Sequence, residues 1–246
     1  MKASAIEFRF RMVIMTTLVV LGYWAPWIEA LDLGRRISLL EWLALHLSRA
    51  GLLPFGYATA AVIVVGSLFA AVGMILRVWG TAYLGYGTVH HGQMQAGAVM
   101  ADGPYRYMRN PLYEGGWFMF VAMALLMPPA GALFAVPLLT LFFLRLILAE
   151  EAFLENVLGQ SYSEYAQAVP RLVPRLRSRL SSAGNKPRWI TAILTEVNPI
   201  GVFLIMTFLA WTYDEELMLK ALLISFGISL VMRAVMPRGK SAPEPA

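Results

Sequence analysis

The stretch "GPYRYMRNPLYEGG", residues 103–116, gathers three tyrosines, two arginines, two prolines and three glycines directly ahead of a long apolar run. An arginine presents a planar fork of donors that suits a carboxylate or a phosphate. Tyrosine faces attract cations through the ring quadrupole. Asn110-Pro111 ends the loop and sets a helix start, because a proline at the first helical position gives up no needed donor. The free backbone N–H groups of such a start favour an anionic group. A second polar pair, Glu150–Glu151, closes a later apolar run. Neighbouring helical residues diverge by about 100°, so these two carboxylates face different partners. No Ser/His/Asp set accompanies them. The chemistry these residues suit is binding and alignment. A plainer use is also open: arginines anchored to lipid headgroups and tyrosines in an interfacial belt.

The rest of the chain is built to position such a site in a bilayer. Its 246 residues are 59% hydrophobic and only 14% charged, with a mean hydropathy of +0.62. A soluble domain carries roughly a quarter charged residues, so lipid is the expected solvent. There is no cysteine, which excludes disulfides, protein thiolate catalysis and cysteine metal sites. Net charge is +5, with basic residues near segment ends, a topology signal before a nucleic-acid one.

The expected fold is an all-α integral membrane protein of about six transmembrane helices. Its polar site is built from loops and helix ends. Residues 12–28 follow Lys2, Arg9 and Arg11 and read as a first span. A signal peptide is the alternative, but no small-x-small cleavage site follows the apolar core. Residues 34–53 mix apolar and charged residues as an interfacial amphipathic helix does. Residues 54–76 read as the second span, rich in the small residues that let helices approach. Residues 112–127 and 132–149 form a helical hairpin around the uncharged "PPAG", residues 128–131. The helix should run on to Leu158 with Gly159 as its cap. A fifth span within 189–213 is interrupted by Glu196, Asn198 and Pro199, and a sixth covers 216–236. The domain limits are 1–76, 77–179, 187–236 and a disordered tail at 237–246.

Six basic residues fall between 171 and 188, whereas the turn after the fifth span is "YDEE". The positive-inside rule then makes the basic connection cytosolic, together with both termini and segment 77–112. Arg35, Arg36 and Arg49 run against that assignment unless an interfacial helix holds them.

"GPYRYMRNPLYEG" followed by "EEAFLENVLGQSYSEYAQAVPRLVP" at 150–174 resembles the isoprenylcysteine carboxyl methyltransferase and phospholipid methyltransferase superfamily. Its pattern falls on Gly103, Pro104, Tyr105, Arg109, Asn110, Pro111, Tyr113 and Gly115. The second half falls on Glu150, Glu151, Leu154, Gly159, Tyr162, Tyr165, Val169, Pro170 and Pro174. Arg77, Trp79, Leu84 and Gly85 resemble the lead-in, so the likeness covers about residues 70–176. The resemblance implies a membrane-embedded methyltransferase that uses S-adenosylmethionine on a lipophilic or membrane-partitioned acceptor, such as a prenylcysteine-like carboxylate, a lipid amine or a thiol. It implies cofactor contacts from Tyr105, Arg106, Arg109, Asn110, Pro111, Tyr113, Glu150 and Glu151, with Arg109, Asn110 and Tyr113 nearest the chemistry. Tyr107 is a further ring for the sulfonium. The isoprenylcysteine enzymes usually show His where this chain has Asn110, which can hydrogen-bond but cannot titrate near neutral pH.

Other features are weaker. His90–His91 with one further His and no cysteine make no metal set. "GYG" at 85–87 is a fragment of a dinucleotide motif without its strand. Arg145 lies inside a span and needs a partner, for which Glu114 and Glu196 are the candidates. A membrane reductase of the sterol-reductase type, using NADPH, is the competing enzyme class. A non-catalytic lipid- or partner-binding protein is the third.

Overall fold

The computed structural model describes residues 2–24, 37–84 and 101–235, the Arg233 side chain excepted. His90, His91, the "GYG" fragment, Arg35, Arg36 and the tail fall outside those residues. Among the described residues every regular element is helical. A short α1 (Ala5–Arg9) opens with a capping box between Ser4 and Glu7 and leads into α2 (Arg11–Trp24). α3 (Leu39–Arg49) begins at Ser38, whose hydroxyl accepts from the Glu41 amide. Then follow α4 (Phe55–Leu84), a 3-10 turn at Gly103–Arg106, α5 (Pro111–Ala124), α6 (Pro129–Leu158) and α7 (Gln160–Ala168). α8 (Trp189–Thr195), α9 (Val197–Phe208) with a 3-10 extension, and α10 (Glu215–Val235) complete the chain.

α4 and α6, at 30 residues each, are long and apolar enough to cross a membrane, and α8 with α9 form a pair bent by 69° that passes as one broken span. Length and composition therefore qualify two or three spans among the described residues, against the six expected. α5 stops at 14 residues, about 21 Å of helix against a hydrocarbon core of roughly 30 Å, and α2 is described over 14 residues.

The shortness of α5 has a local cause. Pro128 and Pro129 cannot continue a helix, so the chain turns at residues 125–128. The carbonyls left over are not surrendered to lipid. Leu39 N–H donates to the Met127 carbonyl at 2.7 Å and Leu40 N–H to Leu125 at 2.8 Å. The start of α3 thus takes the carbonyls of Leu125 and Met127, just ahead of the uncharged hairpin turn. The broken fifth segment is cut at Glu196, which is the last cap of α8 and the first of α9.

α4 and α5 cross with almost no space between backbones. A Cβ on Gly73 would meet the Gly115 carbonyl oxygen and the Met119 amide nitrogen at 2.8 Å each. This crossing fixes the start of α5, and with it residues 109–113, relative to α4.

Two arginines inside the long helices are paired, whereas the buried Glu114 Oε2 has no hydrogen-bond partner among the described residues. Arg145 donates to both oxygens of Glu7 at 2.9 Å, so its partner is neither Glu114 nor Glu196. Those two carboxylates lie on other elements, while α1 folds back along α6: the Ala3 amide also bonds the Arg145 carbonyl. Glu196 instead takes Arg77, at 2.7 and 2.9 Å, and the Thr81 hydroxyl at 2.6 Å, and is 0% exposed.

The basic connection is pinned by Asp102. Its carboxylate accepts from the Ser182 hydroxyl at 2.5 Å, the Ala183 amide at 2.9 Å, and the Asn185 amide and side chain at 3.0 and 2.8 Å. These bonds, Ser182 foremost, hold the Asp102 carboxyl at about 2, below its ordinary 3.8. A depressed carboxyl stabilises the fold fully above its ordinary value, and that contribution is lost as pH falls toward the depressed one.

Two predictions follow from these contacts. Gly73→Ala gains about 1 kcal/mol of helix propensity, but overpacking against two backbones costs about 1–3 kcal/mol. The expected result is a lower melting temperature in detergent, while Gly56→Ala, where a Cβ meets nothing, leaves it level or raised. For Asp102, hydrogen exchange over residues 181–186, corrected for intrinsic rates, should loosen only as pH drops below about 4. Asp102→Asn should show the loosened pattern already at neutral pH; unchanged protection there would contradict the anchoring role.

Candidate active site

About 20 residues of apolar helix cross the hydrocarbon, and counted from Pro129 they reach the neighbourhood of Ala149. Glu150 and Glu151 are the next two positions of α6, the first acidic residues after its apolar run. α6 continues to Leu158, and Gly159 closes it at φ +54, as the sequence predicts.

The two glutamates do face different partners. Glu151, 8% exposed, is the hub. The Asn110 side-chain amide donates to its Oε1 at 2.9 Å. Arg171 donates Nε to its Oε2 at 3.0 Å, and its Nη2 forms an ion pair with the same oxygen at 2.9 Å. Arg109 Nε lies 3.3 Å from Oε1 without the alignment of a hydrogen bond, so that contact is a charge pair only. Glu150 receives the Tyr113 hydroxyl on Oε2 at 2.8 Å, and its Oε1 is engaged by none of the described residues. Tyr113 sits one helical turn behind Asn110, which is why one short stretch can serve both carboxylates.

Asn110 precedes α5 but caps nothing with its side chain. Its amide N–H groups donate instead to Glu151 and to the Arg171 carbonyl, the latter at 3.2 Å. The connection after α7 is laced onto the same loop. Arg109 N–H bonds the Pro170 carbonyl at 2.9 Å, and Arg175 N–H bonds that of Tyr107 at 3.1 Å. Arg109 Nη1 reaches the Ala166 carbonyl at 3.2 Å, and the Tyr165 hydroxyl donates to the Tyr105 carbonyl at 2.9 Å. Burial pushes the phenols of Tyr162 and Tyr165 up, so both remain protonated donors.

Two expected contacts are placed otherwise. Arg106 spends its guanidinium on the Leu180 carbonyl, at 3.1 and 2.6 Å, away from the Glu151 cluster. Tyr107 stacks at 6.0 Å on Trp79. Tyr105 is buried, and its hydroxyl has no hydrogen-bond partner among the described residues. It lies 3.4 Å from where a Cβ on Gly80 would stand. A buried polar atom left unmatched is uncommon, and together with the open Glu150 oxygen it marks where a polar ligand can be met.

Arg171 is the functional-site residue missing from the expected set. It reads in the sequence as one of six topological charges, and only its place directly after the Val169-Pro170 pair hints at more. A cavity of about 780 Å³, lined by Glu41, Phe55, Thr59, Tyr213 and Glu215 among others, opens at the opposite end of α4 and takes no part in this cluster.

Residues 61–161 match the family model for phospholipid methyltransferases. That segment, under half of the chain, holds the 103–115 motif and the Glu150–Glu151 pair, and it resembles that family. Within the curated proteins, a methanethiol S-methyltransferase of Crocosphaera subtropica is 39% identical over 70 residues, 28% of this chain and 27% of that protein. A protein-S-isoprenylcysteine O-methyltransferase B of Arabidopsis thaliana is 37% identical over 78 residues, 31% of this chain and 39% of that protein. The likeness thus spans well under half of either relative. No solved structure matches this chain at the same level. The family segment includes Asn110, Tyr113, Glu150 and Glu151 but ends before Arg171.

Removing one member of a buried ion pair typically costs about 3–5 kcal/mol, and less where a partner reaches water. The Arg171 side chain does reach water, so Glu151→Gln should destabilise the protein by roughly 2–3 kcal/mol in a detergent melt. Glu150→Gln keeps an acceptor for Tyr113 and should stay within about 1 kcal/mol of the parent. Equal losses would mean that the two carboxylates share one role.

Proposed function

We propose that the protein is a membrane-embedded methyltransferase that transfers a methyl group from S-adenosylmethionine to a lipophilic or membrane-partitioned acceptor. The acceptor would be of the prenylcysteine-carboxylate, lipid-amine or thiol kind. The observation that carries this reading is the division of labour between the two glutamates. Glu151 is neutralised by Arg109 and Arg171 and accepts from the Asn110 amide, whereas Glu150 meets only the Tyr113 hydroxyl in hydrogen bonds among the described residues. The names of the two relatives support the same reaction class.

The donor set fits that cofactor. Glu150 offers a carboxylate to an ammonium or a ribose diol, Tyr105 offers an unmatched hydroxyl, and the tyrosine faces suit a sulfonium. The bound cofactor would supply a methyl group already activated by a positive sulfur. Transfer to a good nucleophile then needs alignment and a dry site more than proton exchange. In this chain Tyr113 orients Glu150, Asn110 and Arg171 lock Glu151, and the Pro170 and Tyr107 backbone bonds hold the loop against α6. Asn110 serves as a hydrogen-bond donor and not as a proton carrier, since its amide does not titrate.

The topology we propose places the site, the 171–188 connection and both termini in the cytosol, with roughly six spans in all. An introduced cysteine at exposed Ser181, unique in a cysteine-free chain, should label only from the cytosolic side. Labelling only from outside would invert the topology.

The test of function is cofactor binding by purified protein. S-adenosylmethionine and its demethylated product should bind, and NADPH should not. Loss of a charged hydrogen bond in Glu150→Gln costs about 1.5–3 kcal/mol, or roughly ten- to a hundredfold in affinity. Asn110→His keeps a donor and should retain measurable activity, and Asn110→Leu should lose most of it. Binding of NADPH alone would favour the reductase class.

A further inference from the structure

The connection between α7 and α8 has a property that cofactor binding does not use. From Arg171 to Arg188 it contains Arg171, Arg175, Arg177, Arg179, Lys186 and Arg188 and not one acidic residue. Set among those charges are two large apolar side chains turned to the outside: Val173 is 78% exposed and Leu176 99%. Neither belongs to a spanning helix, so lipid tails along a span do not account for them. Arg177 and Arg179 make no hydrogen bond or ion pair to a described residue, whereas Arg171 and Arg175 are tied down.

The depth of this strap follows from its contacts. Glu151 directly follows the apolar run of the candidate span α6, and Arg171 touches it. The polar headgroup layers add about 5–8 Å on each side of the apolar core. Residues 171–179, bonded to Glu151 and to the loop at 107–110, therefore run at headgroup level. Apolar side chains between arginines at that depth have the composition of an interfacial anchor, in which area buried at the acyl boundary and attraction to anionic lipid act together.

We propose that residues 171–179 dock onto the anionic phospholipid surface of the leaflet beside the site, with Val173 and Leu176 inserted at the headgroup boundary and Arg177 and Arg179 on phosphates. Because Arg171 and the Pro170 carbonyl also hold Glu151 and Arg109, the docked strap is continuous with the wall of the candidate site. The inference rests on the chain spanning a membrane and not on methyl transfer, so its test reads no activity.

The experiment uses the full chain with Leu176→Cys carrying an environment-sensitive fluorophore. The protein is reconstituted in bilayers of phosphatidylcholine alone or mixed with phosphatidylglycerol. The expected result is a blue-shifted emission and a severalfold loss of iodide quenching when the anionic lipid is present, both reversed by high salt. Arg177→Gln with Arg179→Gln should abolish that lipid dependence. A fluorophore at Ser181→Cys should stay aqueous throughout. Identical emission from position 176 in the two bilayers, or an anionic-lipid effect that survives loss of both arginines, would overturn the proposal.

Discussion

One carboxylate organises this protein's polar end. Glu151 follows the apolar run of α6, and two arginines and an amide from two other stretches of chain converge on it. A lone carboxylate at that depth would be costly, and so would two unpaired guanidinium groups beside it. Each makes the others tolerable. The requirement explains why the loop before α5, the end of α6 and the strand after α7 must lie together, although 20 residues separate Glu151 from Arg171 and 41 separate it from Asn110. It also releases Glu150. With its neighbour saturated, Glu150 meets the Tyr113 hydroxyl and the charge of Arg11.

The same logic extends to charges deeper in the fold. Arg77 and Arg145 both lie within the segment that matches the family, inside helices that face lipid along much of their length. Their counterions do not. Glu196 comes from the break between α8 and α9, and Glu7 from the capped first helix. The flanking regions are thus more than extra helices around a core, since each supplies the carboxylate that lets an arginine of the core remain charged in an apolar setting. The bend at Glu196 follows from this role: a fully buried carboxylate bonded to Arg77 and Thr81 holds the chain at the point where two helices meet.

The order and spacing of the polar motifs were legible in the sequence because they are local. Pro111 marks a helix start, Gly159 marks an end, and a helical turn of about 100° per residue already sets Glu150 and Glu151 apart. The hairpin turn was half legible: "PPAG" marks its place and its lack of charge, but not that α3 would take the Leu125 and Met127 carbonyls ahead of it. Partner choice was not legible. Arg77 and Glu196 are 119 residues apart, and only packing decides that Glu196 meets Arg77 and that Arg145 meets Glu7. Arg171 was hidden for a different reason, since one arginine among six in a basic connection carries no mark of its own.

The central claim is that the ligand-binding polar site is built around Glu150 and Glu151 and not in the cavity at the other end of α4. Photolabelling with radioactive S-adenosylmethionine, followed by peptide mapping, addresses it directly. The account predicts label on peptides covering 101–113 or 150–171, competed by the demethylated product. Label confined to the peptides around Glu41, Phe55 or Tyr213 would contradict it.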